Sequence, residues 1–485
     1  MLSISDLLNV GATGLMAHKT RMAVAAHNVS NVSTPGYHRQ RVLLQTQPSL
    51  DPEGSTQKFS EGCGVKIADI IRDYNIMMEN TLRDQTSSSS GHATLAIALQ
   101  DAQVLFAGDQ DSNLGTRFSD FWNAWQDVAN NSDSLAYRNI LLQKTSAITE
   151  EFNNLSERLI DYRKDMLITA AETGGTGNVA RDVEDVNSLA AKIAELNNKI
   201  STLSSRGNDV LDLMDERDNV VLELAGKVNF FMDREDNNTY TIYINGPTPD
   251  EASQQVLVQG NIANTIIITT HNPAKPFTLE LTTSDGNSIE VVPVSGALGA
   301  WGKAATLYDQ LTANLNKLAE TFVLKVNELH RVGFDLNGEQ NWNYFDPLKT
   351  TAGTITVSSD VNLHPERIAA AKTLNPAGGP NVGDGALALD IADLSTASVI
   401  DAITFNSYFT NMTTNLGSAI ESESALANDG DTIITTLKSQ LAAETGVNLD
   451  EEMVDMLSAQ RAFQACSKVI NAVDGMLDTI INRLG

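Results

Sequence analysis

Residues 456–485 read MLSAQRAFQACSKVINAVDGMLDTIINRLG. Within them Met456, Ala459, Phe463, Cys466, Ile470, Val473, Leu477, Ile480 and Leu484 recur at alternating intervals of three and four. That rhythm is a heptad seam, the narrow apolar stripe of a coiled-coil helix. The opposite end of the chain carries it too, in Ile4, Leu8, Gly11, Leu15, His18, Met22, Ala25, Val29 and Val32. Gly11 and His18 weaken this second seam. The helix must end before Pro35-Gly36, because the residue ahead of a proline is pushed out of the helical region. A narrow stripe with no covering domain beside it needs a partner, either the other terminus or a neighbouring subunit. The subunit-packing candidates are Leu8, Leu15, Met22 and Val29 at one end and Phe463, Ile470, Val473, Leu477 and Ile480 at the other. Phe463, Ile470 and Leu477 are expected to lie near Leu8, Leu15 and Met22.

Between the ends, Val186, Leu189, Ile193, Leu196, Ile200 and Leu203 form a third seam, and residues near 95–170 and 302–331 read as helices of the same kind. The segment 228–300 differs. Its runs TYTIYI (239–244), TIIITT (265–270) and SIEVVPV (288–294) are separated by Gly, Pro and Asn turns, the pattern of short strands. The stretch 345–394 is rich in Gly, Ala and Thr, with one candidate strand, TITVSS (354–359).

The fold expected is therefore mainly α with a β insertion. Residues 1–66 and 440–485 make a terminal coiled coil; 67–227, 301–344 and 395–439 make a helical bundle; 228–300 and 345–394 make a small outer β-rich domain. A length of 485 residues suits about three domains.

The chain carries 33 Lys and Arg against 61 Asp and Glu, a formal charge of −28. A phosphate backbone or an anionic membrane surface would repel most of its faces, which argues against nucleic acid as a partner. The two cysteines, Cys63 and Cys466, are too far apart in sequence to suggest a disulfide framework. The N-terminus MLSISDLLNV lacks the basic and long apolar regions of a cleaved secretory signal, and no apolar run reaches membrane-spanning length, so no membrane insertion is expected.

Chemistry-bearing patterns are missing. No HExxH places two imidazoles one helical turn apart. GALGAWGKA (296–304) has Ala297 where a phosphate loop needs its first glycine and Ala304 where it needs a hydroxyl. GTGNVA (175–180) follows a helical stretch rather than a strand, so its glycines read as a helix-helix connection. There is no GxSxG, and Cys63 stands between glycines with no local base. In DLNGEQNW (335–342) the glycine arrives too early for a calcium loop, and a surface turn fits better. No cofactor, metal site or catalytic residue is expected.

The segment AHNVSNVSTPGYHRQ (26–40) resembles the signature of axial flagellar proteins, matched here by Asn28, Asn31, Gly36, Tyr37 and Arg39. His27 departs from it, standing where many members have a second asparagine. Asn and Ser side chains can cap and redirect the chain there while Pro35-Gly36 supplies the turn. ETGVNLDEEMVDMLSAQRAF, from residue 444, is similar to the hook-associated protein 1 family, with Asn448, Asp450 and Glu451 suited to a helix start. LDLMDERDNVVLELA (211–225) and FSDFWNAWQDVANNSDSLAYRNILL (118–142) resemble further blocks of that family.

The resemblance implies a structural subunit of the bacterial flagellum at the junction between hook and filament, required for filament assembly. It also implies export through the flagellar type III apparatus without a cleaved signal, to an extracellular place on the flagellum. The partners it implies are further copies in a ring or helical layer, the hook protein, the next junction or filament protein, and an export chaperone. Two alternatives are another axial protein, such as a hook or rod subunit, and an exported enzyme carried on the filament. The GVNLDEE segment speaks against the first. The second would need a catalytic constellation in residues 228–394, where none is found.

Overall fold

The computed structural model describes residues 4–47, 62–107, 113–167, 177–244, 255–269, 277–283 and 285–484; side chains at 167 and 480–484 lie outside the description. Helix α1 (Ile4–Asn31) leads into a two-stranded antiparallel ribbon, β1 (Gln40–Thr46) with β2 (Val65–Arg72). The sequence reading did not anticipate this ribbon and divided it between coiled coil and bundle. Then come α2 (Ile76–Ala107), α3 (Leu114–Asn130), α4 (Leu135–Leu167), α5 (Asn178–Ser205) and α6 (Leu211–Lys227). The long helices α7 (Gly296–His330), α10 (Phe405–Thr445) and α11 (Leu449–Leu484) follow a β region and two short helices, α8 (Ser359–Asn362) and α9 (Ala386–Asp393), lie between α7 and α10. The chain is thus mainly helical with small antiparallel sheets, as its patterning predicts.

An aromatic cluster anchors the helical body. Phe118 and Phe121 of α3 sit edge-on to Phe322 of α7, with ring centroids 5.2 and 5.0 Å apart. Phe152 of α4 and Phe405 of α10 close on Phe118 at 5.8 and 5.9 Å. Such offset and edge contacts add to the burial of large rings. Asn113 starts α3 by accepting the Thr116 N–H at 3.0 Å, and Thr404 starts α10 by accepting the Ser407 N–H at 3.1 Å.

The β region holds two sheets, β3 (Phe230–Arg234), β4 (Tyr240–Ile244), β5 (Val256–Gln259) and β6 (Ile262–Ala263) in one, and β7 (Thr265–Thr269), β8 (Thr278–Thr282) and β9 (Ser288–Val291) in the other. Both are fastened to α5 by asparagines that mimic a strand. Asn197 accepts the Tyr240 N–H at 3.0 Å and donates to Tyr240 O and Gly260 O at 3.0 and 2.9 Å. Asn187 exchanges two 2.8 Å bonds with the backbone of Ile266. Val186, Ala190, Ile193 and Leu196 of α5 share one buried apolar core with Ile242, Leu257, Ile266 and Leu281 of the sheets. Among the described residues, the insertion therefore has no core separate from the helices.

Residues 345–394, expected beside that insertion as β-rich chain, depart from the expectation. They contain no named strand, and Val357 of TITVSS makes only an isolated bridge to Phe345. The stretch packs on α3, α4 and α7 instead. It is held there by side-chain bonds to backbone that composition does not reveal. Asn327 accepts the N–H groups of Tyr344 and Phe345 at 2.9 and 2.8 Å and donates to Phe345 O at 3.0 Å. Buried His330 donates from Nδ1 to Trp342 O at 2.8 Å and accepts the Ala369 N–H at Nε2 at 2.9 Å. Buried Arg138 donates to Ile368 O at 3.3 Å. The loop DLNGEQNW forms a turn in which Asp335 accepts the N–H groups of Asn337 and Glu339, both at 2.8 Å.

Candidate functional site

The signature segment after α1 folds into an elbow between the terminal helices and the body. Asn28 is buried and uses its whole amide: Oδ1 accepts from Tyr37 OH at 2.8 Å and Gln40 N–H at 3.0 Å, while Nδ2 donates to Gln40 O at 3.0 Å and Glu452 Oε2 at 3.1 Å. Neither Asp nor Gln would keep that set, since Asp lacks the donors and Gln is longer. Asn31 donates to His27 O at 3.1 Å and accepts from Thr34 Oγ1 at 3.2 Å, closing the turn. Gly36 has φ +72°, and the Asn219 side chain fills the place a Cβ would take. A side chain there would meet both the left-handed backbone penalty and Asn219. His27, the departure from the signature, sits with Nδ1 3.0 Å from Tyr37 OH.

Helix α6 supplies a row of acceptors on one face, Asp212, Asp215 and Asp218, spaced one turn apart. Asp212 accepts from Gln40 Nε2 at 2.8 Å. Asp215 takes both the His38 N–H, at 3.0 Å, and His38 Nδ1, at 2.8 Å, and it also accepts from Arg72 of β2 at 2.5 Å. Asp218 pairs with Arg72 at 2.7 Å and accepts from Tyr240 OH at 2.7 Å. On the far side of the imidazole, Glu79 of α2 stands 3.4 Å from His38 Nε2. Apart from Asp212, which is exposed, the charged groups here have buried side chains, a setting in which an unpaired charge would be costly. Burial works against the charged imidazole, but the hydrogen bond to Asp215 and the nearby Glu79 carboxylate outweigh it and hold the His38 pKa up at about 9. Burial together with the neighbouring Asp212 and Asp215 carboxylates raises the Tyr37 phenol well above its ordinary value.

Helix α11 enters the same elbow. Asn448 caps it by accepting the Asp450 N–H at 3.0 Å, while Asp450 stands in its exposed first turn. Arg39 donates from Nε to buried Glu452 at 2.6 Å and from a terminal nitrogen to Glu451 at 3.1 Å, and its own N–H reaches Thr445 O at 2.8 Å. One arginine thus ties the signature loop to the end of α10 and the start of α11. Charge-assisted bonds of this kind are the strong ones.

Beyond the elbow, α1 and α11 pack together as a pair. The contact face of α1 is made of small residues rather than large ones: Gly11, Gly14, Ala17 and Ala25 are buried, along with Val24. A Cβ on Gly11 would lie 2.8 Å from Ile470 Cγ1, and one on Gly14 would lie 2.8 Å from Cys466 Sγ. Gly11, like Gly14, therefore sits where α11 leaves no room for a side chain, although the sequence reading took it for a weakness. Leu8 is 40 % exposed, and Leu15, Met22 and Val29 are half-buried. On α11, Val473 is buried while Phe463, Ile470 and Leu477 are half-buried; the Ile480 side chain lies outside the described residues. His38, Arg72, Glu79, Asp212, Asp215, Asp218, Asn219 and Glu452 are the elbow residues that sequence reasoning missed. The available signal was the one-turn spacing of three aspartates in LDLMDERDN.

A cleft of about 460 Å³ opens beside the elbow, lined by residues 31–38, by Leu82, Asn219 and Leu222, and by Lys438, Leu441 and Val447. Among the described residues no cluster of His, Cys, Asp and Glu has the arrangement of a metal site, and no helix is long and apolar enough to cross a membrane.

Two terminal helices paired in one rod and clamped to a helical and β-containing body define an axial flagellar protein. The sequence of both ends agrees: residues 8–38 match the flagella basal body rod protein family, and residues 441–484 match the C-terminal family of flagellar basal body rod FlgEFG proteins. Residues 99–345, half of the chain, match the flagellar hook-associated protein FlgK helical domain, and the chain belongs to that family. Flagellar hook-associated protein 1 of Bacillus subtilis (strain 168) is 26% identical over 517 residues, covering 99% of this chain and 98% of the relative. The protein of the same name from Escherichia coli (strain K12) is 23% identical, covering 99% of this chain and 100% of the relative. In fold, the chain is similar to the flagellar hook junction protein FlgK from Burkholderia pseudomallei, with a TM-score of 0.61 and 13% identity over 74% of this chain and 99% of that one. The chain is a structural component of the flagellum at the hook-filament junction.

Proposed function

We propose that this protein forms the layer of identical subunits on which the filament is built, with no enzymatic activity of its own. It leaves the cell through the flagellar export apparatus without a cleaved signal, escorted by an export chaperone. Copies of α1 and α11 associate with their neighbours in a ring or helical layer, with the hook protein on one side and the next junction or filament protein on the other. The observation that carries this reading is the state of the terminal pair. It buries small residues between its helices and leaves Met16, Val454, Leu457 and Met476 about half exposed or more, at 65%, 66%, 48% and 52%. Apolar surface of that extent on a two-helix rod is what further subunits would cover. Deletion of the gene, with flagella viewed by electron microscopy, is the test. The expected result is hooks without filaments and flagellin monomers lost to the medium; filaments of normal number on the deleted strain would overturn it.

A further inference from the structure

We infer that His38 is a proton-operated pin in the elbow: as an imidazolium it holds the signature loop to α6 and α2, and in its neutral form it lets the loop and ribbon loosen from the body. The geometry carries this. Nδ1 lies 2.8 Å from one carboxylate, Asp215, and Nε2 lies 3.4 Å from another, Glu79. A neutral imidazole that keeps its one N–H on Nδ1 for Asp215 would turn the Nε2 lone pair toward Glu79; Nε2 makes no hydrogen bond there, and only the cation sets an opposite charge beside both carboxylates. The charge balance points the same way. From α6 come Asp215 and Asp218, from α2 Glu79, from β2 Arg72, which pairs with both aspartates at 2.5 and 2.7 Å. The Tyr74 ring lies 5.4 Å from the imidazole, Tyr240 of β4 donates its hydroxyl to Asp218, and Lys438 of α10 lines the adjoining cleft. The guanidinium of buried Arg217, over the Tyr240 ring, also faces Asp218, and buried Arg83 of α2 stands near Tyr74; with His38 neutral, the positive charge set against these three carboxylates falls by one.

The segments joined here belong to different parts of the molecule. His38 precedes β1, Arg72 ends β2, and Glu79 and the aspartates stand on helices of the body, so one proton is shared by loop, ribbon, α2 and α6. The pKa of His38 is raised from 6.5 to about 9. A raised folded value means that the stabilisation is complete below the ordinary histidine value of 6.5 and is lost as pH climbs through about 9.

The test follows histidine protonation by NMR in the full-length chain labelled at histidine, alongside hydrogen-exchange protection factors, which correct for base catalysis of exchange. In the unaltered protein, His38 should still be charged at about pH 8, and protection of the β1–β2 ribbon should fall together with its deprotonation near pH 9. His38→Gln should leave the ribbon poorly protected already at about pH 7 and abolish the alkaline step. Glu79→Gln keeps the Asp215 contact and should lower the midpoint by about one pH unit. Ribbon protection that stays constant up to about pH 10, or an alkaline step that survives in His38→Gln, would overturn the proposal. Should His38→Gln lose its helical circular dichroism, Glu79→Gln decides alone, and an unmoved midpoint there overturns the pin.

Discussion

Arg217 shows how a single side chain joins two parts of this molecule. It is fully buried, its guanidinium lies 3.5 Å over the Tyr240 ring, and it donates to Asn197 Oδ1 at 3.0 Å and Asn238 O at 2.5 Å. Arg217→Ala would strand those acceptors and remove the stacked plane, so a loss of about 3 kcal/mol is expected in urea unfolding of the full chain. Arg217→Lys should recover only part of it, because an ammonium neither stacks nor forks; a loss below about 1 kcal/mol for the alanine variant would contradict this account. His330 makes a second prediction, opposite in sign to that for His38. Burial pushes its pKa down to about 4, and its neutral form already bonds Trp342 O and the Ala369 N–H. Its contribution is therefore complete above the ordinary value of 6.5 and is lost as pH falls toward about 4. Histidine NMR at about pH 5 should find His330 still neutral with the proton on Nδ1, and a charged ring there would refute the assignment. None of this was legible in the sequence. Asp215 meets a histidine 177 positions away, and an acidic residue that will be buried by a distant partner looks the same, in isolation, as one on a solvated face.

At the scale of elements, hydrophobic periodicity is a record of large side chains, and it reports helices whose contacts are made by large side chains. The seams of α5 and the runs that become β4, β7 and β9 were legible for that reason. The contact face of α1 was legible only in part, at Gly11 and Ala25, because glycine and alanine leave little hydrophobic signal even where, as at Gly11 and Gly14, they make room for the partner helix. The ribbon was missed because β1 and β2 expose apolar residues on both faces, among them Leu43, Leu44 and Ile67 at 40%, 38% and 37%, so no clean alternation marks them. Ile470 faces Gly11 across the pair. Ile470→Asp should therefore block assembly, since a carboxylate in that gap would lose its hydration without gaining a partner; restoration of filaments by this variant in a deletion strain would rule out the pairing as an assembly contact. The β insertion gives a different expectation from the one its strands alone suggest. Because α5 and the sheets share a core and Arg217 and Asn197 bond to β4 and its turn, excision of residues 229–294 should unmask Val186, Ile193 and Val221 and unfold the body. A soluble excised chain with an unchanged thermal midpoint would show the sheets to be dispensable.

For the molecule as a whole, the terminal pair and the body are held by different physics. Among the described residues, the main apolar core runs through α2 to α10 and the sheets but includes no residue of α1 or α11, whose buried apolar side chains are Ala17, Val24, Ala25, Ala459 and Val473. Burying so few and such small groups stabilises weakly, while ordering each residue costs about 1–2 kcal/mol, so an isolated two-helix pair is poorly supported in water. The elbow is better held. Asn28, His38, Arg39 and Arg72 bind it to α6, α11 and each other through buried or charge-assisted bonds. These facts together predict a free subunit whose two ends fray and whose elbow does not. Limited proteolysis of the monomer should remove the N-terminal part of α1 and the distal part of α11 quickly and leave a resistant fragment from about residue 26 to about residue 452. In purified hook-filament junctions the same ends should resist, because neighbouring subunits would supply the burial that one chain lacks, coupling the folding of the ends to polymerisation. Ends as protected in the monomer as in the junction would refute the coupling. A resistant fragment beginning near α2, at about residue 75, would instead show that the elbow loosens with the rod and that its polar network is not an independent clamp.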